Sequence, residues 1–188
     1  GAALVLDEVR CGFRLHLGGS WEPLGVEPDL SAWSKAIANG YPLAAVLGAD
    51  PWREAAQAVY ATGSFWFAAV PMAAGLATVA ALREERAVER MVAIGERLRA
   101  GLDAQAAAWG FSVRQTGPVQ MPYLSFDGDE GHRLVDRFCA EALRRGAFLH
   151  PRHNWFVSAA TTEDDLELVL AATDGAFGAL RAHLRSEG

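Results

Sequence analysis

The chain predicts an α/β fold followed by a small C-terminal α+β domain, and three observations carry that prediction. Residues 2–6, Ala2-Ala3-Leu4-Val5-Leu6, form a short unbroken apolar run that ends in Asp7. Runs of this kind suit strands covered on both faces, as in a parallel sheet. Two more short strand candidates follow near 30–34 and 43–48. Beyond residue 71 the pattern changes to long helical spacing, and after Gly110 short strands and helices alternate again. The domain boundary is placed accordingly: 1–109 for the larger part with its connecting long helix, and 110–188 for the small domain.

Each element has its own signal. The stretch Gly18-Gly19-Ser20-Trp21-Glu22-Pro23, between the first two strands, reads as irregular chain. Asp50-Pro51-Trp52 reads as a helix start, with Asp50 as N-cap and Pro51 in the first position. Residues 71–82 form an apolar helix expected to be buried on most sides. Arg83 to Trp109 form a longer amphipathic helix that Gly110 ends. Strands are expected at 111–114 and 119–126, a helix at 130–145, and strands at 147–149 and 155–159. A terminal helix is expected at 163–184. Thr161 or Thr162 is its cap, and Glu163, Asp164 and Asp165 suit the positive end of its dipole.

Composition limits the function classes. Of 188 residues, 51% are hydrophobic and 21% charged, which is globular rather than disordered. A net charge of −6 argues against a nucleic-acid surface as the main function. No apolar run is long enough to span a membrane. Cys11 and Cys139 are too few for a disulfide scaffold and lack metal-ligand spacing. They read as buried thiols of a cytoplasmic protein. His150 and His153 flank Pro151 on a turn and define no metal site.

Lysine usage is the sharpest chemical signal. Lys35 is the only lysine among 17 basic side chains; all the rest are arginine. Arginine stays protonated and cannot act as an amine nucleophile, whereas a desolvated lysine can lose its proton and form a Schiff base. A purely compositional origin, arginine replacing lysine wherever only charge matters, accounts for the arginines and leaves the one lysine open. Asp7 ends the first strand and Lys35 follows the second. In open α/β sheets, ligands bind outside the carboxyl ends of the strands. An acid and an amine there are what a pyridoxal phosphate (PLP) site needs, for the pyridinium nitrogen and the aldehyde. The alternative for Asp7 is a helix cap or a turn acid.

Two stretches carry a family resemblance: Leu4-Val5-Leu6-Asp7-Glu8-Val9-Arg10-Cys11-Gly12-Phe13-Arg14, and Pro28-Asp29-Leu30-Ser31-Ala32-Trp33-Ser34-Lys35-Ala36-Ile37-Ala38-Asn39-Gly40-Tyr41-Pro42, continuing to Gly48. Together they resemble the PLP signature of class III (ω-type) aminotransferases, including the glutamate-1-semialdehyde aminomutase subgroup. The resemblance implies a type I PLP-dependent transferase fold, present here as a partial large domain with a mixed sheet plus the small domain. It implies that Lys35 holds PLP as a Schiff base, that Asp7 pairs with the ring nitrogen, that Val9 lies against the ring, and that Ser34 belongs to the cofactor site. Partial burial is expected for Lys35, so that its amine can be neutral and act as general base. Enzymes of this family are about twice this long, so the chain corresponds to their C-terminal half. No small-residue helix start suited to a phosphate precedes Lys35.

The remaining site assignments are residue by residue. In the family a Gly-Thr/Ser-aromatic stretch crosses a homodimer interface to the partner's phosphate. Thr62 and Ser64 in Ala61-Thr62-Gly63-Ser64-Phe65-Trp66 match it, although Ala69-Val70-Pro71 replaces the usual Gly-Asn-Pro, and a structural turn stays open as the other assignment. Arg152 is the candidate for a substrate carboxylate, a task for its planar fork, with a solvated loop as the alternative. The expected reaction is amino transfer from a small-molecule donor to a keto acid or aldehyde. An aminomutase, or an inactive truncated form of either, stands as the alternative, and no nucleic-acid or membrane partner is expected.

Overall fold

The computed structural model describes residues 1–187. The chain divides into two compact units, one up to Val88 and one from Glu89 onward.

The first unit is built on a three-stranded mixed sheet in the order β1 (Val5–Asp7), β2 (Leu30–Trp33), β3 (Ala45–Gly48). β1 and β2 are parallel, with Val5 opposite Leu30 and Asp7 opposite Ala32. β3 runs antiparallel to β2, with Trp33 opposite Ala45. The crossover from β1 to β2 is irregular chain with a 3₁₀ turn at Glu22–Leu24. Asp29 fastens its end: one carboxylate oxygen accepts the Leu4 N–H at 2.7 Å and the other accepts Trp52 Nε1–H at 3.1 Å. Those two bonds, the backbone one first, hold the Asp29 carboxyl below its usual range.

Burial in this unit is thinner than the sequence predicts. Leu6 is buried while its neighbour Val5 is 58% exposed, so β1 alternates instead of being covered on both faces. Within this chain only one face of the strand is covered. A second 3₁₀ turn, Lys35–Ala38, follows β2. A third, Asp50–Trp52, leads into α1 (Arg53–Ala58). Asp50 is not its N-cap: Ala49 occupies that position, and Asp50 instead pairs with Arg53 at 2.6 Å. α2 (Ala69–Glu84) buries only Pro71 and Gly75 and leaves Val70, Met72 and Leu76 exposed, against the expectation of a mostly buried helix. Gly75 marks its close contact: a Cβ there would stand 2.9 Å from Leu43 Cδ2. The break into α3 (Ala87–Ala108) falls at Arg86, whose φ is +51°.

The second unit has the denser core. β4 (Val113–Thr116) and β5 (Tyr123–Phe126) form an antiparallel pair, joined by α4 (Arg133–Arg144) and α5 (Glu163–Glu187). The fully buried rings of Phe138 and Phe177 lie 4.5 Å apart between centroids, with Phe126 5.7 Å from Phe138. Leu102, Leu124 and Leu180 are also fully buried in this unit. The strands expected at 147–149 and 155–159 do not form. Ala147 N–H instead closes the end of α4 on the Ala142 carbonyl at 3.0 Å. Trp155 and Val157 donate to the Pro122 and Gln120 carbonyls at 2.8 and 2.9 Å, but Pro122 has no N–H to return and the ladder stops there. α5 is capped by Thr162: its Oγ1 accepts the Asp165 N–H at 3.1 Å, and the Asp165 carboxylate accepts the Thr162 N–H at 2.9 Å. No helix among the described residues is long and apolar enough to cross a membrane.

Candidate active site

Asp7 is the last residue of β1, and its partner Ala32 lies in β2 just ahead of Lys35. The parallel register therefore places Asp7 and Lys35 at the carboxyl ends of neighbouring strands. The chain turns sharply between them. Ser34 is extended (φ −164°), and Lys35 adopts φ +50°, in the left-handed region that costs a non-glycine residue roughly 1–2 kcal/mol. Strain of this sort persists where surrounding contacts over-determine it. Here Ser34 Oγ donates to the Leu43 carbonyl at 3.0 Å, and Ala38 is buried at the end of the same turn. Lys35 itself is exposed, so the expected partial burial is not supplied by this chain. Asp7 is likewise exposed, and its Oδ1 accepts the Val9 N–H at 3.0 Å, which places the Val9 backbone against the carboxylate.

Glu8 was missed in the sequence assignment. It is 1% exposed, and its Oε1 accepts both the Ser20 N–H at 2.8 Å and the Ser20 hydroxyl at 2.7 Å. Its backbone N–H donates to the Ala32 carbonyl at 2.9 Å, and its carbonyl accepts the Gly12 N–H at 2.8 Å. Oε2 has no hydrogen-bond partner among the described residues. The signal was available: side chains alternate along a strand, so the parity that buries Leu6 also turns Glu8 inward and Asp7 outward. Gly12 is needed beneath this turn, because a Cβ there would stand 2.6 Å from the Trp33 ring and 2.7 Å from the Glu8 carbonyl oxygen. Phe13 packs on the other part of Trp33, with ring centroids 4.9 Å apart.

Thr62 and Ser64 lie in an exposed stretch between α1 and α2, next to the exposed Tyr60, Phe65 and Phe67. Arg152, in the second unit, forms an ion pair with Asp136 at 2.6 Å. His150 accepts the Arg152 N–H through Nδ1 at 3.0 Å. Among the described residues no group of three His, Cys, Asp or Glu side chains is placed to hold a metal.

The chain belongs to the class-III aminotransferases, whose family model matches residues 1–166. It is 49% identical over 180 residues to an aminopentol aminotransferase from Sphingopyxis macrogoltabida, covering 96% of this chain and 43% of that protein. It is 34% identical to a glutamate-1-semialdehyde 2,1-aminomutase from Myxococcus xanthus, covering 96% of this chain and 45% of the aminomutase. In structure it superimposes on the PLP internal aldimine form of the Sphingopyxis sp. MTA144 FumI protein with a TM-score of 0.95 at 48% identity, covering 99% of this chain and 45% of that one. The chain thus spans less than half the length of the relatives it matches.

Proposed function

We propose that this chain supplies the amine and the carboxylate of a PLP-dependent aminotransferase that moves an amino group from a small-molecule donor to a keto acid or aldehyde. The observation that carries this is the β1–β2 register, which places Asp7 and Lys35 at the carboxyl ends of neighbouring strands. The donor set fits the cofactor: a primary amine for its aldehyde and a carboxylate for its ring nitrogen. The 49% identity to an aminopentol aminotransferase supports an amine on a hydroxylated carbon chain as the substrate class.

When bound, PLP supplies a ring that draws electrons from the substrate carbon. Asp7 would keep a proton on the ring nitrogen, because opposite charges at close range stabilise each other. Lys35 Nζ would hold the cofactor's aldehyde and, as a free amine, would carry a proton between carbon atoms as a general base. Ser34, bonded to the Leu43 carbonyl just ahead of Lys35, would steady the turn that carries the amine and belong to the cofactor site. Val9 would lie against the ring. Thr62 and Ser64 hydroxyls contribute donors for the phosphate, across a homodimer in which the exposed Phe65 and Phe67 are covered. Arg152 would take a substrate carboxylate in competition with Asp136. The free thiols of Cys11 and Cys139 suit a reducing cytoplasm.

Reconstitution with PLP, borohydride reduction and peptide mapping test this function. A stoichiometric pyridoxyl adduct on Lys35 is expected; an adduct elsewhere, or none, refutes it for this chain. The similarity to aminomutases favours one second function, transfer within a single molecule. Conversion of a lone amino-aldehyde substrate without an external keto acid would select it.

A further inference from the structure

We propose that Glu8 is a positioning residue that holds Asp7 at its place on the sheet edge by clamping the turn that follows β1. The proposal rests on the role proposed for Asp7, and its geometry stands independently of that role.

A carboxylate inside a protein is costly unless its oxygens are satisfied. Glu8 is almost fully buried, and one of its oxygens has no hydrogen-bond partner among the described residues. An apolar side chain at this position would avoid that cost. What the carboxylate provides is a link no apolar side chain can make. Oε1 accepts two donors from Ser20, twelve residues away in the crossover. The backbone of the same residue bonds to Ala32 on β2 and to Gly12 in the turn. Glu8 therefore ties together β2, the Glu8–Gly12 turn and the crossover.

The Asp7 side chain lacks comparable anchors of its own. It is exposed, and its side chain is held by the Val9 N–H. Both partners of that bond flank Glu8 directly. Releasing Glu8 from Ser20 frees the turn that carries Val9, and the Asp7 carboxylate loses its fixed direction.

The test uses amide hydrogen exchange followed by NMR on the chain without cofactor, together with PLP titration. Glu8→Ala is expected to speed exchange at Ser20 and at Val9 by roughly five- to thirty-fold, the change that loss of one to two kcal/mol of local stability produces. Glu8→Gln keeps one acceptor oxygen for Ser20 and is expected to restore most of the protection at both sites. If Glu8→Ala does not fold, Ser20→Ala removes only the hydroxyl donor and is expected to shift Val9 in the same direction by less. Unchanged exchange at Val9 in a folded Glu8→Ala or Ser20→Ala chain overturns the proposal. In PLP titrations, Glu8→Ala should weaken binding in the wild-type background and add nothing in an Asp7→Asn background, since both act through one group. Additive losses would mean a merely structural role and would also overturn it. A wild-type chain that binds no PLP would count against the proposed enzyme function, while the Val9 exchange would still decide the positioning role.

Discussion

Asp7 lies directly beside Ala32 in the parallel pair of β1 and β2, and this single register fixes where the acid stands relative to Lys35. A slip of one residue would turn Asp7 inward and Glu8 outward, since alternate side chains face opposite sides of a sheet. The placing of the acid, the amine and the buried Glu8 thus follows from one strand pairing.

Lys35 is strained, and that strain separates by mutation from the role proposed for its amine. Lys35→Ala and Lys35→Gly should both abolish the pyridoxyl adduct and lower turnover of the active enzyme by at least about 10²–10⁴-fold, from loss of proton transfer alone. Only glycine relieves the left-handed backbone at φ +50°. The glycine variant should therefore be at least as stable to urea as the alanine variant, despite its greater unfolded-chain entropy. A clearly less stable glycine variant would show that the left-handed turn is absent in solution.

Gly12 is a packing requirement. A methyl group there meets the Trp33 ring and the Glu8 carbonyl oxygen at distances under 3 Å. Gly12→Ala should cost about 1–3 kcal/mol, as overpacking does. A lowered urea midpoint, with reduced Trp33 burial read by fluorescence, checks this. An unchanged midpoint contradicts the close approach.

Glu141 links the stability of the second unit to pH. It is buried on α4, with Arg145 Nη1 donating to its carboxylate at 2.8 Å and Arg144 Nη1 at 2.6 Å. The Arg145 hydrogen bond, and then the arginine charges, hold its carboxyl below the ordinary value of 4.5. The unfolded chain takes up the proton first as the solution is acidified. The contribution is therefore fully present above pH 4.5 and disappears as pH falls through the lower folded value. Glu141→Gln should cost about 1–2 kcal/mol at pH 7, and the gap to wild type should narrow below pH 4.5. Denaturation curves at pH 7 and pH 3 measure it, and a gap that widens in acid would refute the pairing.

Arg152 separates substrate contact from structure. Its pair with Asp136 is exposed on both sides, and pairs of that kind are worth about 0–1 kcal/mol. Arg152→Gln should leave the unfolding midpoint nearly unchanged. If Arg152 also takes a substrate carboxylate, KM in the active enzyme should rise with kcat little altered. Equal KM values for carboxylate-bearing substrates would assign Arg152 to Asp136 alone.

Sequence alone named the chemistry-bearing candidates and determined the class of fold. The lone lysine, the acid after an apolar run and the order of the two motifs are local facts, and helix periodicity places α2 to α5 to within a few residues. Tertiary structure decided which groups meet. Glu8 became a clamp because Ser20 came back to it through an irregular crossover that no periodicity predicts. The β-like stretch at Trp155 to Val157 stayed outside the sheet because its neighbour across the gap is Pro122, which has no N–H to give. Arg152 found Asp136 on a different element. The division follows from range: propensity, periodicity and motif chemistry act between near neighbours, whereas register, burial and ion pairing depend on partners that only chain closure brings into contact.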